Sequence, residues 1–156
     1  MTFNAPNGTR GARQPKASPL MNWINNRTVK RIRRKGGKLM GTSLLVLNTV
    51  GKKTGAQRAN PVSWFPGEGG TWLIVASAAG GARNPAWFYN LAGNPDTVSI
   101  DVDRSNVPVV AEQLHGAERD RAWASIISAA PRFTQYETKT DRLIPIIRLT
   151  RRGEYL

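Results

Sequence analysis

Residues 43–77 read SLLVLNTVGKKTGAQRANPVSWFPGEGGTWLIVAS. The first eight, SLLVLNTV, form a short apolar, β-branched run of strand length. GKKTG at 51–55 interrupts it with two glycines, and QRANPVSWF at 57–65 resumes an extended pattern. PGEGG at 66–70 is a second turn, and TWLIVAS at 71–77 a third strand. Three strands in series, joined by short glycine-rich turns, predict an antiparallel meander. Pro61 cannot donate to a ladder, so it predicts an edge position or a bulge in the second strand.

The chain on either side extends this pattern. Downstream, 78–83 is an Ala/Gly loop, and Asn84-Pro85 opens a short helix to about Leu91, stopped at Gly93. TVSIDV (97–102) and VPVVAEQL (107–114) are two more strands joined at Arg104, Ser105 and Asn106. Residues 116–130 carry Ala117, Trp123, Ile126 and Ile127 on one helical side, and Pro131 ends that helix. RLIPIIRL (142–149) is the last strand, with an internal proline. Upstream, Ser18-Pro19 reads as an N-cap with proline in the first turn of a helix over 19–35. Met21, Ile24, Thr28 and Ile32 fall on one stripe of it, with Trp23 beside them. Arg27, Lys30, Arg31, Arg33 and Arg34 fill its other faces. Residues 1–18 are polar, basic and rich in Gly, Pro and Asn, the composition of a disordered tail.

Strands in hairpin order, without long β-α-β alternation, exclude a doubly wound sheet. The expected architecture is α+β. About six mostly antiparallel strands form a small barrel, with inserted helices and an N-terminal amphipathic helix, and 19–156 is one domain.

The 156 residues are 40% apolar and 21% charged, values of a folded domain. The chain has no cysteine and one histidine, His115, which excludes thiol chemistry, disulfides, zinc ribbons, iron–sulfur clusters and multi-histidine metal sites. No apolar run approaches membrane-spanning length, and 1–18 lack the apolar region of a signal peptide. A cytoplasmic location is the default. The net charge is +13, and all of the excess lies in 1–67, which hold thirteen Lys/Arg and no acid. Residues 68–156 hold ten of each sign. Such a field attracts nucleic acid, an anionic membrane or a phosphorylated small molecule. Nucleic acid fits least, because only Trp23 interleaves an aromatic with the basic run. The helix 19–35 suits the surface of an anionic membrane, or a core-packing role with a solvated basic face.

No self-contained catalytic set is present. His115 reads as a surface or cap histidine, no G-x-S-x-G elbow accompanies it, and no carboxylate pair stands out. GKKTG ends like a P-loop but lacks its upstream glycine. The turn has two readings. One is a hairpin with charged gatekeepers. The other is an anion grip in which Lys52, Lys53 and Arg58 converge while glycines let backbone N–H groups face a ligand.

Three stretches together carry a resemblance: GKKTG-x-x-R-x-N-P within 46–61, IVAS-x-x-GG-x-x-NPAWFYNL-x-x-NP over 74–95, and YETKTDRLIPIIRL over 136–149. In order and spacing the chain resembles the deazaflavin-dependent nitroreductase family, split β-barrel oxidoreductases of actinobacteria. The resemblance spans about Trp23 to Leu149. It implies a split barrel, reduced coenzyme F420 as hydride donor, and a quinone, enone or nitroaromatic compound as acceptor. It implies that Lys52, Lys53 and Arg58 hold the coenzyme's phosphate and acidic tail, with Thr54 and Gly55 adding hydroxyl or backbone contacts and Asn60 and Pro61 completing the motif. Ala76, Ser77 and Ala78 would lie against the deazaflavin ring. Asn84, Pro85, Ala86 and Trp87 would close on it. Tyr136 and Ser77 would stand at the reacting end. Phe133 replaces a frequent hydroxyl, and Ala78-Ala79 replace a frequent lysine. A non-catalytic carrier of the coenzyme or of a fatty acid, and a reductase using flavin mononucleotide, are the alternatives on the same barrel.

Overall fold

A computed structural model describes residues 3–14, 18–39 and 41–153. Four helices and seven strands follow in order among these residues: α1 (Pro19–Lys35), β1 (Lys38–Leu39), β2 (Thr42–Val50), β3 (Gln57–Pro66), β4 (Trp72–Val75), α2 (Ala86–Gly93), β5 (Val98–Val102), β6 (Ser105–Gln113), α3 (Gly116–Ala129), α4 (Phe133–Lys139) and β7 (Ile146–Arg151). All pairings are antiparallel. The order β1-β2-β3-β4-β7-β6-β5 closes where β5 returns to β2, so six strands form a barrel and β1 is an appendage.

The apolar run of β2 reflects cover on both faces. Leu45 and Leu47 point into the barrel with Ile74, Ile100, Val109, Ile147 and Leu149. Leu44 and Val46 point outward and are buried under Val29 and Ile32 of α1. β5 alternates instead, with Val98, Ile100 and Val102 buried and Ser99 and Asp101 between them. A second cluster of Phe65, Leu73, Trp123, Ile126, Phe133 and Ile146 fixes α3 and α4 to the outside of β4 and β7.

β3 pairs with β2 along its whole length but with β4 only over Trp64–Pro66. Pro61 sits opposite Val46, in the part of β3 that β4 does not reach. The proline therefore lies on a locally open edge and makes no bulge. This divergence of β3 from β4 is the split in the barrel.

Several local expectations change. β4 ends at Val75, before Ala76 and Ser77. The β5–β6 turn is Asp103-Arg104, both with positive φ (50° and 62°), and β6 starts at Ser105. β7 begins after Pro145. The segment 133–139 is helical. In α1 only Val29 and Ile32 are buried, while Leu20 is 64% and Trp23 56% exposed, and Met21 and Ile24 are also exposed. The helix packs by its C-terminal half, capped by Ser18, and its N-terminal half overhangs.

Residues 3–14, expected to be disordered, run across the domain. The Phe3 ring meets Phe88 edge-on at 5.8 Å. Asn4 and Gln113 exchange two hydrogen bonds at 2.9 and 3.0 Å. The Gly8 and Ala12 amides donate to the Ala82 and Gly80 carbonyls. A Cβ at Gly11 would collide with the Ala82 nitrogen, so this crossing needs glycine. Residues 1–2 and 15–17 of the expected tail lie outside the described residues.

Candidate active site

The split in the barrel opens onto a cavity of about 440 Å³. Pro61, Val62 and Ser63 wall it from β3, Val75 from β4, and Ser77, Ala78 and Ala79 from the loop beyond. Pro85 and Trp87 enter from the start of α2, and Arg132, Phe133 and Tyr136 from α4. Asn25, Thr28 and Arg31 of α1, with Lys38, complete the rim. Six residues singled out in the sequence, Pro61, Ser77, Ala78, Pro85, Trp87 and Tyr136, thus meet in one space although the first and last lie 75 positions apart in the chain.

The loop after β4 has an unusual backbone. Ser77 is right-handed (φ −77°, ψ −32°), followed by Ala78 at φ 46° and Ala79 at φ 52°, ψ 32°. A right-handed residue followed by a left-handed one turns successive N–H groups to a common side, which suits an anion or a polar ring edge. Two alanines with positive φ store roughly 1–2 kcal/mol each, so the surroundings must hold them. Gly80, at φ 85°, lets the loop lie against α4, where a Cβ would come within 2.9 Å of the Lys139 Cβ.

Arg142 supplies the hold. This residue is 6% exposed. Its Nε donates to Gly81 O at 2.8 Å, Nη1 to Asn84 Oδ1 at 2.8 Å, and Nη2 to Ala76 O at 3.0 Å and Ser77 O at 2.8 Å. Burial pulls the guanidinium below its ordinary pKa. The C=O and N–H of a trans peptide point in opposite directions. With Arg142 on the carbonyls of Ala76 and Ser77, the N–H groups of Ser77 and Ala78 turn away from it. Arg142 was not singled out from the sequence. Its signals were its place in the YETKTDRLIPIIRL stretch and a cation at the start of the apolar run LIPII.

Asn84 is buried, and its side chain serves the same scaffold: Oδ1 accepts from Arg142 and Nδ2 donates to Ala5 O at 2.8 Å. Ala76 is fully buried, with its amide on Pro145 O. Ala86 is exposed at the start of α2. Asn60 is half-buried opposite Leu47. Phe133 packs edge-on to Phe65 at 5.6 Å and Tyr136 at 5.2 Å, which explains an aromatic hydrocarbon at that position.

The basic turn lies at the other end of α2. The Lys52 amide donates to Asn90 Oδ1 at 3.0 Å, and Gly51 and Ala56 close the turn through a 2.7 Å bond. Thr54 Oγ1 accepts from the Ala56 amide at 3.2 Å. Lys52, Lys53, Thr54, Gly55 and Arg58 are exposed. α2 has eight residues, about 12 Å at 1.5 Å per residue. A ligand touching both the turn and the cavity must therefore be elongated and negatively charged at the turn end.

Arg58 also borders a separate polar groove of about 710 Å³ with Arg33, Asn48, Asp101 and Asn106. There Arg33 Nε meets Asp101 Oδ2 at 2.8 Å, and Asn48 and Asn106 also donate to that carboxylate. Burial acts to raise the Asp101 pKa, but hydrogen bonds from Arg33, Asn106 and Asn48 outweigh it and keep the carboxyl below its ordinary value. The acid-free N-terminal part is thus partly neutralised in three dimensions.

No group of metal-ligating side chains is found among the described residues. His115 is exposed at the N-cap of α3, as expected.

Residues 20–151 match the family model described as F420H(2)-dependent quinone reductase. The chain is 36% identical over 110 residues to the F420H(2)-dependent quinone reductase Rv1261c of Mycobacterium tuberculosis, covering 69% of this chain and 73% of that protein. A structure described as an F420-H2 dependent reductase, FDR-A, superposes with a TM-score of 0.61 at 36% identity, covering 68% of this chain and 92% of that one. A solved domain-swapped dimer superposes with a TM-score of 0.63 at 32% identity, covering 85% of this chain and 99% of that one. With the split barrel, the cavity in its opening and a match over nearly the whole chain, this protein belongs to the F420H(2)-dependent quinone reductase family.

Proposed function

We propose that the chain uses reduced coenzyme F420 to reduce a quinone or related conjugated acceptor within the split of the barrel. The convergence of Pro61, Ser77, Ala78, Pro85, Trp87 and Tyr136 on one cavity, with a cationic turn one helix-length away, carries this reading. The coenzyme, when bound, supplies a hydride from its deazaflavin ring. The residues present fit such a group. Lys52, Lys53 and Arg58 offer cations to its phosphate and acidic tail. The N–H groups of Ser77 and Ala78 would be available to the polar edge of the ring, on a loop that Arg142 and Asn84 hold. Trp87 and Pro61, which line the cavity, would restrict the ring's orientation. Tyr136 donates a hydrogen bond to the oxygen that gains charge on the acceptor.

α1 gives this site an access route. Asn25, Thr28 and Arg31 border the cavity, while Leu20, Met21, Trp23 and Ile24 are exposed on the overhanging half. Arg27 lies over the Trp23 ring at 5.1 Å. An exposed apolar patch amid cations suits shallow insertion into an anionic membrane, where apolar quinones dissolve. No helix among the described residues is long and apolar enough to cross one. Sedimentation with anionic liposomes at low salt tests this contact, and a chain left in the supernatant refutes it.

Addition of menadione to the chain with reduced coenzyme should restore the absorbance of the oxidised coenzyme. Binding without that recovery would indicate a carrier, and a tightly held yellow flavin in the purified protein would indicate flavin mononucleotide instead.

A further inference from the structure

Among the described cations of the cavity, Arg132 is the half-buried one. It precedes α4, and Arg31 and Lys38 are exposed on flexible stems. Its Nη2 donates to Thr42 Oγ1 at 3.1 Å, and Thr42 Oγ1 lies 3.0 Å from Ser63 Oγ. Its Cζ lies 4.9 Å from the centroid of Phe133, a ring fixed by Phe65 and Tyr136. A guanidinium stacked on a locked ring and tied to a hydroxyl pair loses little freedom when a further oxygen approaches. The cavity lining includes no Asp or Glu among the described residues.

We infer that Arg132 stabilises the oxyanion formed on the acceptor, and that it selects acceptors carrying a carbonyl oxygen conjugated to the reducible carbon. The inference rests on the proposed quinone reduction. In that step the acceptor takes a hydride, two electrons with one proton, and a quinone becomes its hydroquinone monoanion. The charge rests on oxygen beside Arg132. Arg132 acts here as a cation and a hydrogen-bond donor, and the proton that completes the product comes from elsewhere. Solvent entering the open cavity protonates the oxyanion, and the coenzyme releases its remaining proton to solvent. This division of labour accounts for a site in which Phe133 and Ala78 stand where hydroxyl and lysine side chains are expected. Tyr136 then assists without being the obligatory proton donor.

The test uses the full chain without coenzyme and 4-nitrophenol as an oxyanion probe. Its phenolate absorbance is followed against pH in wild type, Arg132→Gln and Arg132→Lys, with thermal melts to confirm folding. In wild type the bound phenol should ionise about one pH unit or more below the free phenol, the effect of a cation within a few ångströms. Arg132→Gln should abolish that shift or the binding, and Arg132→Lys should keep part of it. With reduced coenzyme and menadione, Arg132→Gln should lower kcat about 100-fold or more, the scale of losing one oxyanion donor, with coenzyme affinity unchanged. Tyr136→Phe should lose less. An equal phenol shift in Arg132→Gln, or no phenol binding in wild type, would overturn the assignment. A normal phenol result in a chain that cannot oxidise the reduced coenzyme would instead sink the proposed reaction and leave the anion site standing.

Discussion

Replacing Arg142 with methionine should detach the loop that lines the cavity. The guanidinium makes four hydrogen bonds of 2.8–3.0 Å to Gly81, Asn84, Ala76 and Ser77. A hydrogen bond to a charged group is worth about 1.5–3 kcal/mol. A simple sum overstates the loss, because the cation's own burial cost disappears and water reaches some of the freed carbonyls. Breaking a comparable buried charged cluster costs about 3–5 kcal/mol. For a chain of this length that is a fall in Tm of roughly 6–20 °C. Arg142→Lys should fall between, since an ammonium has three donors and no planar fork. Urea unfolding measures the loss, and amide exchange at Gly80 and Gly81 locates it. A loss under about 1 kcal/mol, with unchanged protection at both amides, would show that Arg142 does not hold the loop.

Lys53→Ala and Arg58→Ala should each weaken coenzyme binding about 10- to 100-fold, the loss of one charge-assisted contact to phosphate or carboxylate, and a fluorescence titration measures it. Unchanged affinity in both would return the turn to a solvated hairpin. Ala79→Gly should raise stability by about 1 kcal/mol in a thermal melt, because glycine occupies φ 52° without strain. The N-terminal segment should release in acid. Hydrogen bonds from the Thr9 side chain and backbone hold the Asp141 pKa down to about 2, against 3.8. The folded value is the lower one, so this tether is complete above about pH 4 and is lost as pH falls toward about 2. Asp141→Asn should expose Arg10 and Arg13 to trypsin at neutral pH, and equal cleavage rates in variant and wild type would contradict the tether.

The barrel was legible because its strands and turns announce themselves locally. SLLVLNTV, QRANPVSWF and TWLIVAS alternate or run apolar at strand length between glycine-rich turns, and the structure pairs them in that order. Pro61 even marked the open edge where the cavity forms. What stayed hidden depends on contacts distant in sequence. FTQYETK has few strong helix formers and only seven residues; its helix exists because Phe133 packs on Phe65. Met21 and Ile24 match the period of a buried stripe, yet the strand beneath α1 covers only its second half. Residues 3–14 have the composition of a tail, and backbone bonds to a loop some seventy positions away order them. Arg142 gains its role only once the fold gathers four oxygens around it. Lys52, Lys53 and Arg58 were recognisable as a cationic cluster, but its distance from the cavity follows from α2, which no local pattern sets.

Stopped-flow mixing of the chain and reduced coenzyme F420 with menadione addresses the central assignment most directly. Hydride transfer in the barrel split requires the oxidised coenzyme's absorbance to reappear at a rate that saturates with menadione. A chain that binds the reduced coenzyme tightly and leaves its absorbance unchanged would contradict it.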